Sequence, residues 1–167
     1  MQNIDFEFLR ESYRPAQIKI LFVGESPPAS GKFFYIENSL LYHATKESFL
    51  QALPYLNQQT PFLKTFQDLG CYLEDLCETP VNHLDNSTRA RERAKSLPSF
   101  REKIKQISPK IVIVVMKQIT PYVQQALDAE NCQAVLHNLP FPRRHRQQYV
   151  SELKQLLRTL YKEGVIK

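Results

Sequence analysis

Apolar positions along this chain follow two rhythms, and the alternation between them predicts the fold. Four stretches are short apolar runs closed by turn-forming residues: Ile18–Val23, Cys71–Leu76, Ile111–Met116 and Gln133–His137. Runs of this length, rich in β-branched and aromatic residues, read as strands. Ile18–Val23 has the composition of a strand buried on both faces of a parallel sheet, and the unbroken IVIVVM of Ile111–Met116 demands a central position.

Between these runs the apolar residues recur at helical spacing. Residues 4–12 read as a short amphipathic helix that ends before Pro15. Leu40, Leu41, Ala44, Phe49 and Leu53 mark a helix over 39–53, and Thr60-Pro61 starts another whose Phe62, Leu63, Phe66 and Leu69 run on until Gly70 stops it. The polar, aperiodic segment Val81–Thr88 reads as a loop. Ser87 then heads a charged helix, and a second, separate helix from about Pro98 to Ile107 turns Phe100, Ile104 and Ile107 inward. A helix after Pro121 reaches about Ala129, and the loop NLPFPRRHR leads into a closing helix with Val150, Leu153, Leu156, Leu157 and Leu160 on one stripe. Alternating strands and helices predict an α/β protein, a three-layer α/β/α sandwich around a central, mostly parallel four-stranded sheet. At 167 residues the chain suits one core, so a single domain over 1–167 and a monomer are expected.

A parallel sheet gathers the carboxyl ends of its strands on one edge, where ligands bind in α/β folds. Gly24-Glu25-Ser26-Pro27-Pro28, Asp75–Pro80, Lys117–Thr120 and His137–Arg146 are therefore predicted to line one crevice. Several chemistries can be removed from it. Gly24 and Gly31 are too far apart for a phosphate-binding P-loop, and Phe33 stands where its hydroxyl belongs. No GxGxxG occurs, and Pro28 occupies the second glycine position of a GxSxG nucleophile turn around Ser26. What is left is a carboxylate beside a hydroxyl, the aromatic triplet Phe33-Phe34-Tyr35, and a proline-rich loop entering a basic helix. A flat base stacked on a ring beside a run of phosphates would use all three.

Charge placement supports an anionic partner. The net charge of +5 lies wholly in the last segment: 15 Lys/Arg balance 15 Asp/Glu up to Leu139, and seven basic residues face Glu152 and Glu163 from Pro140 onward. Such a localised basic element is the footprint expected of a phosphate-binding surface, and a solvated basic helix has the same composition. By contrast Arg89, Arg91, Arg93 and Lys95, interleaved with Glu92, read as a solvated helix face. The three cysteines (Cys71, Cys77, Cys132) are expected to be reduced thiols, and their spacing with His83 does not fit zinc, so neither metal nor cofactor is expected. No apolar run is long enough for a membrane span and the first residues are acidic, so a cytoplasmic protein without membrane contact is expected.

The motifs in order resemble the uracil-DNA glycosylase superfamily over Ile18 to about Leu157. Gly24-Glu25-Ser26-Pro27 is similar to that family's G-E-[AG]-P version of its first motif, one of three alternatives beside G-Q-D-P and G-[IM]-N-P. The stretch SPKIVIVVMKQITPYVQQAL resembles its P-x-[VI]-[IV]-x-x-[LM]-G segment, and Leu139-Pro140-Phe141-Pro142 before a basic helix resembles its H-P-S-P loop. The resemblance implies that Phe33, Phe34 or Tyr35 stacks an extruded base and that Asp75 reads its edge. It further implies that Glu25 and Ser26 serve the hydrolysis, and that Leu139, Pro140, Phe141, Pro142, Arg143, Arg144 and Arg146 hold single- or double-stranded DNA. Three departures are visible. Ser26 stands where active branches carry a water-positioning Asp or Asn, Leu139 replaces the loop histidine that stabilises the departing base, and the cysteines of the G-E-[AG]-P branch's iron-sulfur cluster are missing. His137, two residues before Leu139, is the candidate substitute. The implied activity is hydrolysis of the N-glycosidic bond of uracil or another deaminated base in DNA, the alternative being a nucleic-acid or nucleobase-binding protein of the same fold with little or no turnover.

Overall fold

The computed structural model describes residues 3–56 and 58–167. Its centre is a sheet of four parallel strands, β1 (Ile20–Gly24), β2 (Cys71–Asp75), β3 (Ile111–Val114) and β4 (Val135–Asn138), in the order β2-β1-β3-β4. β1 and β3 are the inner pair, with Phe22 beside Ile113 and Val23 beside Val114, and every residue of both is buried. The unbroken apolar runs thus belong to the strands that need apolar residues on both faces. Gly70, with φ of 76°, closes the preceding helix and its carbonyl receives the amides of Lys19 and Ile20, which sets the β1–β2 register.

Among the described residues six α-helices accompany the sheet: α1 (Phe6–Ser12), α2 (Leu40–Ala52), α3 (Phe62–Asp68), α4 (Asn86–Ile107), α5 (Thr120–Ala129) and α6 (Pro142–Lys162). The Phe22 ring packs against Phe49 of α2 and Phe66 of α3, at 6.3 and 5.3 Å between centroids, which assigns those helices to its face. α6 joins them, since the buried hydroxyls of Thr45 and Tyr149 meet at 2.7 Å. α4 and α5 cover the opposite face, toward which Val23 and Glu74 point, and Lys103 of α4 reaches Glu74 at 3.2 Å. This is the expected α/β/α sandwich, and its sheet is entirely parallel.

Several boundaries differ from expectation, each for a physical reason. α4 is one helix through Pro98 and not two, because Pro98 and Ala94 both face solvent, where water can satisfy the carbonyl that loses its proline-blocked donor. Its cap is Asp85 rather than Ser87: the Asp85 carboxylate accepts from the Thr88 amide at 3.0 Å and the Thr88 hydroxyl at 2.8 Å. Pro61 sits one position outside α3 instead of on its first turn. β4 begins at Val135, since Cys132 is still bonded to Leu127 at the end of α5 and ladder pairing starts with Val135 to Lys110. α6 starts at Pro142 and is interrupted at His145 (φ −131°, ψ 40°), so the basic residues assigned to a loop lie on an irregular first turn.

Candidate functional site at the carboxyl edge of the sheet

Hydrogen bonds just beyond the strands hold the four loop starts together. Leu76 and Cys77 donate to the carbonyls of Gly24 and Glu25, Val115 donates to Val23, and Leu139 donates to Val114 at 2.7 Å. Gly24 is required here by close approach: a Cβ on it would lie 2.7 Å from Asp75 Oδ1. The loop after Gly24 is tied across the edge, with the Val81 amide donating to Ser26 Oγ at 3.2 Å and the Ala29 amide to Asn82 Oδ1 at 2.9 Å.

Glu25 points to the α4 face and is buried between two arginines. Arg89 donates from Nε to both carboxylate oxygens, at 3.0 and 2.9 Å, and from Nη2 to Oε1; Arg93 donates from Nε at 2.6 Å and pairs through Nη2 with Oε2. A carboxylate has about four lone-pair sites, so this set leaves Glu25 little capacity for a water without displacing a guanidinium. The arrangement clamps α4 to the end of β1 and holds two cations beside the crevice. Arg89 and Arg93, read in sequence as part of a solvated face, are the residues that reading missed; their i, i+4 spacing puts them on one side of a helix, but nothing local names their partner.

The aromatic triplet is packed in the core, at 2% to 3% exposure. Phe33 lies 4.6 Å from the Phe6 ring with the Arg10 guanidinium 5.3 Å from its centroid, and Phe34 packs on Phe66 and edge-on to Tyr42. The Tyr35 hydroxyl bonds to the backbone of Leu73. Asp75 is equally engaged: Arg10, itself buried, donates to Asp75 Oδ2 at 2.9 Å and to Glu74 Oε1 at 2.5 Å. Asp75 Oδ1 accepts no hydrogen bond among the described residues. Burial pushes the Asp75 carboxyl above its ordinary range while the Arg10 charge pulls it back.

His137 stands apart from both groups. With Leu139 it faces α6, where the two line a cavity of about 280 Å³ together with Glu152, Gln155, Leu156 and Thr159. None of Glu25, Ser26 or Asp75 touches that cavity. The structure therefore brings Glu25 and Ser26 together with the Val81–Asn82 loop and α4, sets Asp75 with Arg10, and leaves His137 on the flank of β4.

The proline loop is rigid at its base and open at its tip. Leu139, Pro140 and Pro142 are buried, Phe141 between them keeps 36% of its surface exposed, and Arg143, Arg144 and Arg146 follow in solvent. Arg146 pairs with Glu47 at 2.8 Å, whereas Arg143 and Arg144 have no ion pair among the described residues. No side chain caps α6, so its first amides are free to donate. Cys71, Cys77 and Cys132 are free thiols, and no group of three His, Cys, Asp or Glu side chains able to hold a metal occurs among the described residues. No helix among them is long and apolar enough to cross a membrane.

Residues 11–161 match the uracil DNA glycosylase superfamily. No curated protein matches the chain.

Proposed function

The chain belongs to the uracil-DNA glycosylase superfamily, and from that premise we propose that it binds DNA at the carboxyl edge of its sheet and hydrolyses the N-glycosidic bond of uracil or another deaminated base. The observation that carries this reading is the loop from Leu139 to Arg144. Two buried prolines hold a partly exposed phenylalanine at the tip, and two arginines without an ion pair among the described residues and the uncapped amides of a helix start follow it. An apolar wedge beside phosphate-binding cations is what a protein needs to part stacked bases and hold the strand while one base leaves the duplex.

In this proposal the extruded base enters between the Gly24–Pro28 loop and the end of β2, where Asp75 Oδ1 is the open acceptor for a base N–H. One of Phe33, Phe34 and Tyr35 gives up a present neighbour to stack it. Ser26 holds the attacking water, and Glu25, engaged by Arg89 and Arg93, fixes the loop that carries Ser26 and takes no proton. His137 serves the departing base only through water, because its ring is committed to the α6 side. Neither metal nor cofactor is needed, and one chain suffices.

The packed triplet and the saturated Glu25 favour a second reading: a protein that binds DNA or a nucleobase with little turnover. Single-turnover assays on uracil, hypoxanthine and xanthine, each in single- and double-stranded DNA, separate the two. Abasic product from any of the six substrates at a rate above that of free DNA supports the enzyme. Saturable binding with no product for all six establishes the second reading.

A further inference from the structure

We propose that Arg89 and Arg93, held side by side by Glu25, form a binding site for a phosphate group of the nucleic-acid backbone, separate from the loop at Arg143 and Arg144. Each arginine spends Nε and Nη2 on the same carboxylate. That leaves Nη1 of both without an acceptor among the described residues. Neither Nη1 is a buried orphan, because among the described residues the only buried side-chain nitrogen or oxygen atoms without a hydrogen-bond partner are Arg10 Nε and Thr120 Oγ1. Both Nη1 groups therefore reach solvent, in agreement with side-chain exposures of 22% for Arg89 and 13% for Arg93.

The charge does not balance. One carboxylate faces two guanidinium groups, while Glu92 is paired with Lys95 and Glu78 with Lys103, and the Asp85 carboxylate is turned to the amide and hydroxyl of Thr88 at the helix start. A net positive charge thus remains at a half-buried site whose donors are already fixed in direction. Arg93 is further held by Tyr122, whose ring centroid lies 6.0 Å from its guanidinium carbon. Two immobilised guanidinium edges aimed outward suit the oxygens of a phosphate, and little side-chain freedom is left to lose on binding. The donors sit at the end of β1, on the same sheet edge as the proline loop, so a strand crossing the edge can lay one phosphate on each. This inference rests on the DNA contact proposed above and not on turnover.

The test is a titration of a fluorescent DNA duplex against salt, beside thermal melts in inorganic phosphate and in chloride at equal ionic strength. Arg89→Lys is the principal variant, since lysine keeps a charge to pair with Glu25 but has no second arm to offer outward; Arg93→Gln is the second, and Arg91→Gln, an exposed neighbour, is the control. The expected result is a several-fold weaker affinity for all sequences alike. The slope of log affinity against log salt should be flatter by about one unit, the contribution of roughly 0.9 from one phosphate. The stabilisation by inorganic phosphate should also be lost, while Arg91→Gln changes none of these. Folded Arg89→Lys protein with unchanged affinity and slope overturns the site and leaves the DNA reading standing. If the unmodified protein binds no DNA, but its stabilisation by inorganic phosphate disappears in Arg89→Lys, the anion site stands and the DNA contact falls.

Discussion

The hydroxyl of Tyr35 is bonded twice to one residue: it donates to the carbonyl of Leu73 at 3.0 Å and accepts from the amide of Leu73 at 2.7 Å. Leu73 is the middle residue of β2, an edge strand, and both groups point away from β1. A single side chain therefore covers the middle of the open edge of the sheet, where unpaired backbone would otherwise invite another strand.

Tyr35→Phe tests which of two roles the residue has. Phenylalanine keeps the ring, so a base platform would survive, but it leaves a buried amide and carbonyl unsatisfied at a cost of about 1 to 3 kcal/mol each. We expect a lower urea midpoint with unchanged slope and more aggregation on refolding. Unaltered stability would show that the edge is satisfied without the hydroxyl.

The Arg10–Asp75 pair gives a pH signature. Burial holds the Asp75 carboxyl above its ordinary 3.8. Between that ordinary value and the raised one, the folded protein binds more protons than the unfolded chain, so stability falls as pH rises through this window. Arg10 limits the effect by stabilising the carboxylate. Arg10→Met removes that charge, strands the buried Asp75 carboxylate and leaves Glu74 paired with Lys103 alone, for which a loss of about 3 to 5 kcal/mol is expected near neutrality. Equilibrium unfolding at a series of pH values should show the variant recovering stability on acidification more steeply than the unmodified protein. Parallel stability curves would mean that Arg10 does not control the charge of Asp75.

Much of this architecture could be read in the sequence, and the contrast with what could not be is physical. Strands β1 and β3 announce themselves because a doubly covered strand must be apolar at every position, and the close approach at Gly24 and the turn at Gly70 are marked by the residue they require. Pro98 misled because proline breaks a helix only where the freed carbonyl cannot find water. At the site, Glu25 and Ser26 stand out by their position after a strand, but Arg89 and Arg93 lie 64 and 68 residues from the carboxylate they clamp. No local period records a contact of that range. The aromatic triplet poses the opposite difficulty: three adjacent rings have the same composition whether they stack a base or fill a core, and only packing against Phe6, Tyr42 and Phe66 distinguishes the cases.

Leu139, which the resemblance of its loop sets against the family's loop histidine, is 3% exposed on the α6 side. Leu139→His puts a polar ring into an apolar setting, so a loss of about 1 to 3 kcal/mol of stability is expected. If the catalytic geometry is otherwise present, the single-turnover rate on the preferred base should rise despite that loss, since one general acid or electrostatic donor contributes roughly 10²- to 10⁴-fold. A folded variant whose product rate stays at background on every candidate base would place the loop in binding alone.

The proline loop offers the clearest division of labour, because its wedge and its cations are separate residues. Arg143→Ala with Arg144→Ala removes two exposed charges that have no ion pair among the described residues, so stability should hold. Affinity for duplex DNA should fall alike for all sequences, with the salt slope flatter by roughly one to two units. Phe141→Ala should leave that slope where it was, because no charge is lost. Its effect should fall on base extrusion: fluorescence of a 2-aminopurine beside the target base, which brightens on unstacking, should drop several-fold at saturating protein. An unchanged slope in the arginine pair together with unchanged 2-aminopurine signal in Phe141→Ala would remove the loop from DNA contact. The exposed ring and basic turn would then be an ordinary solvated helix start.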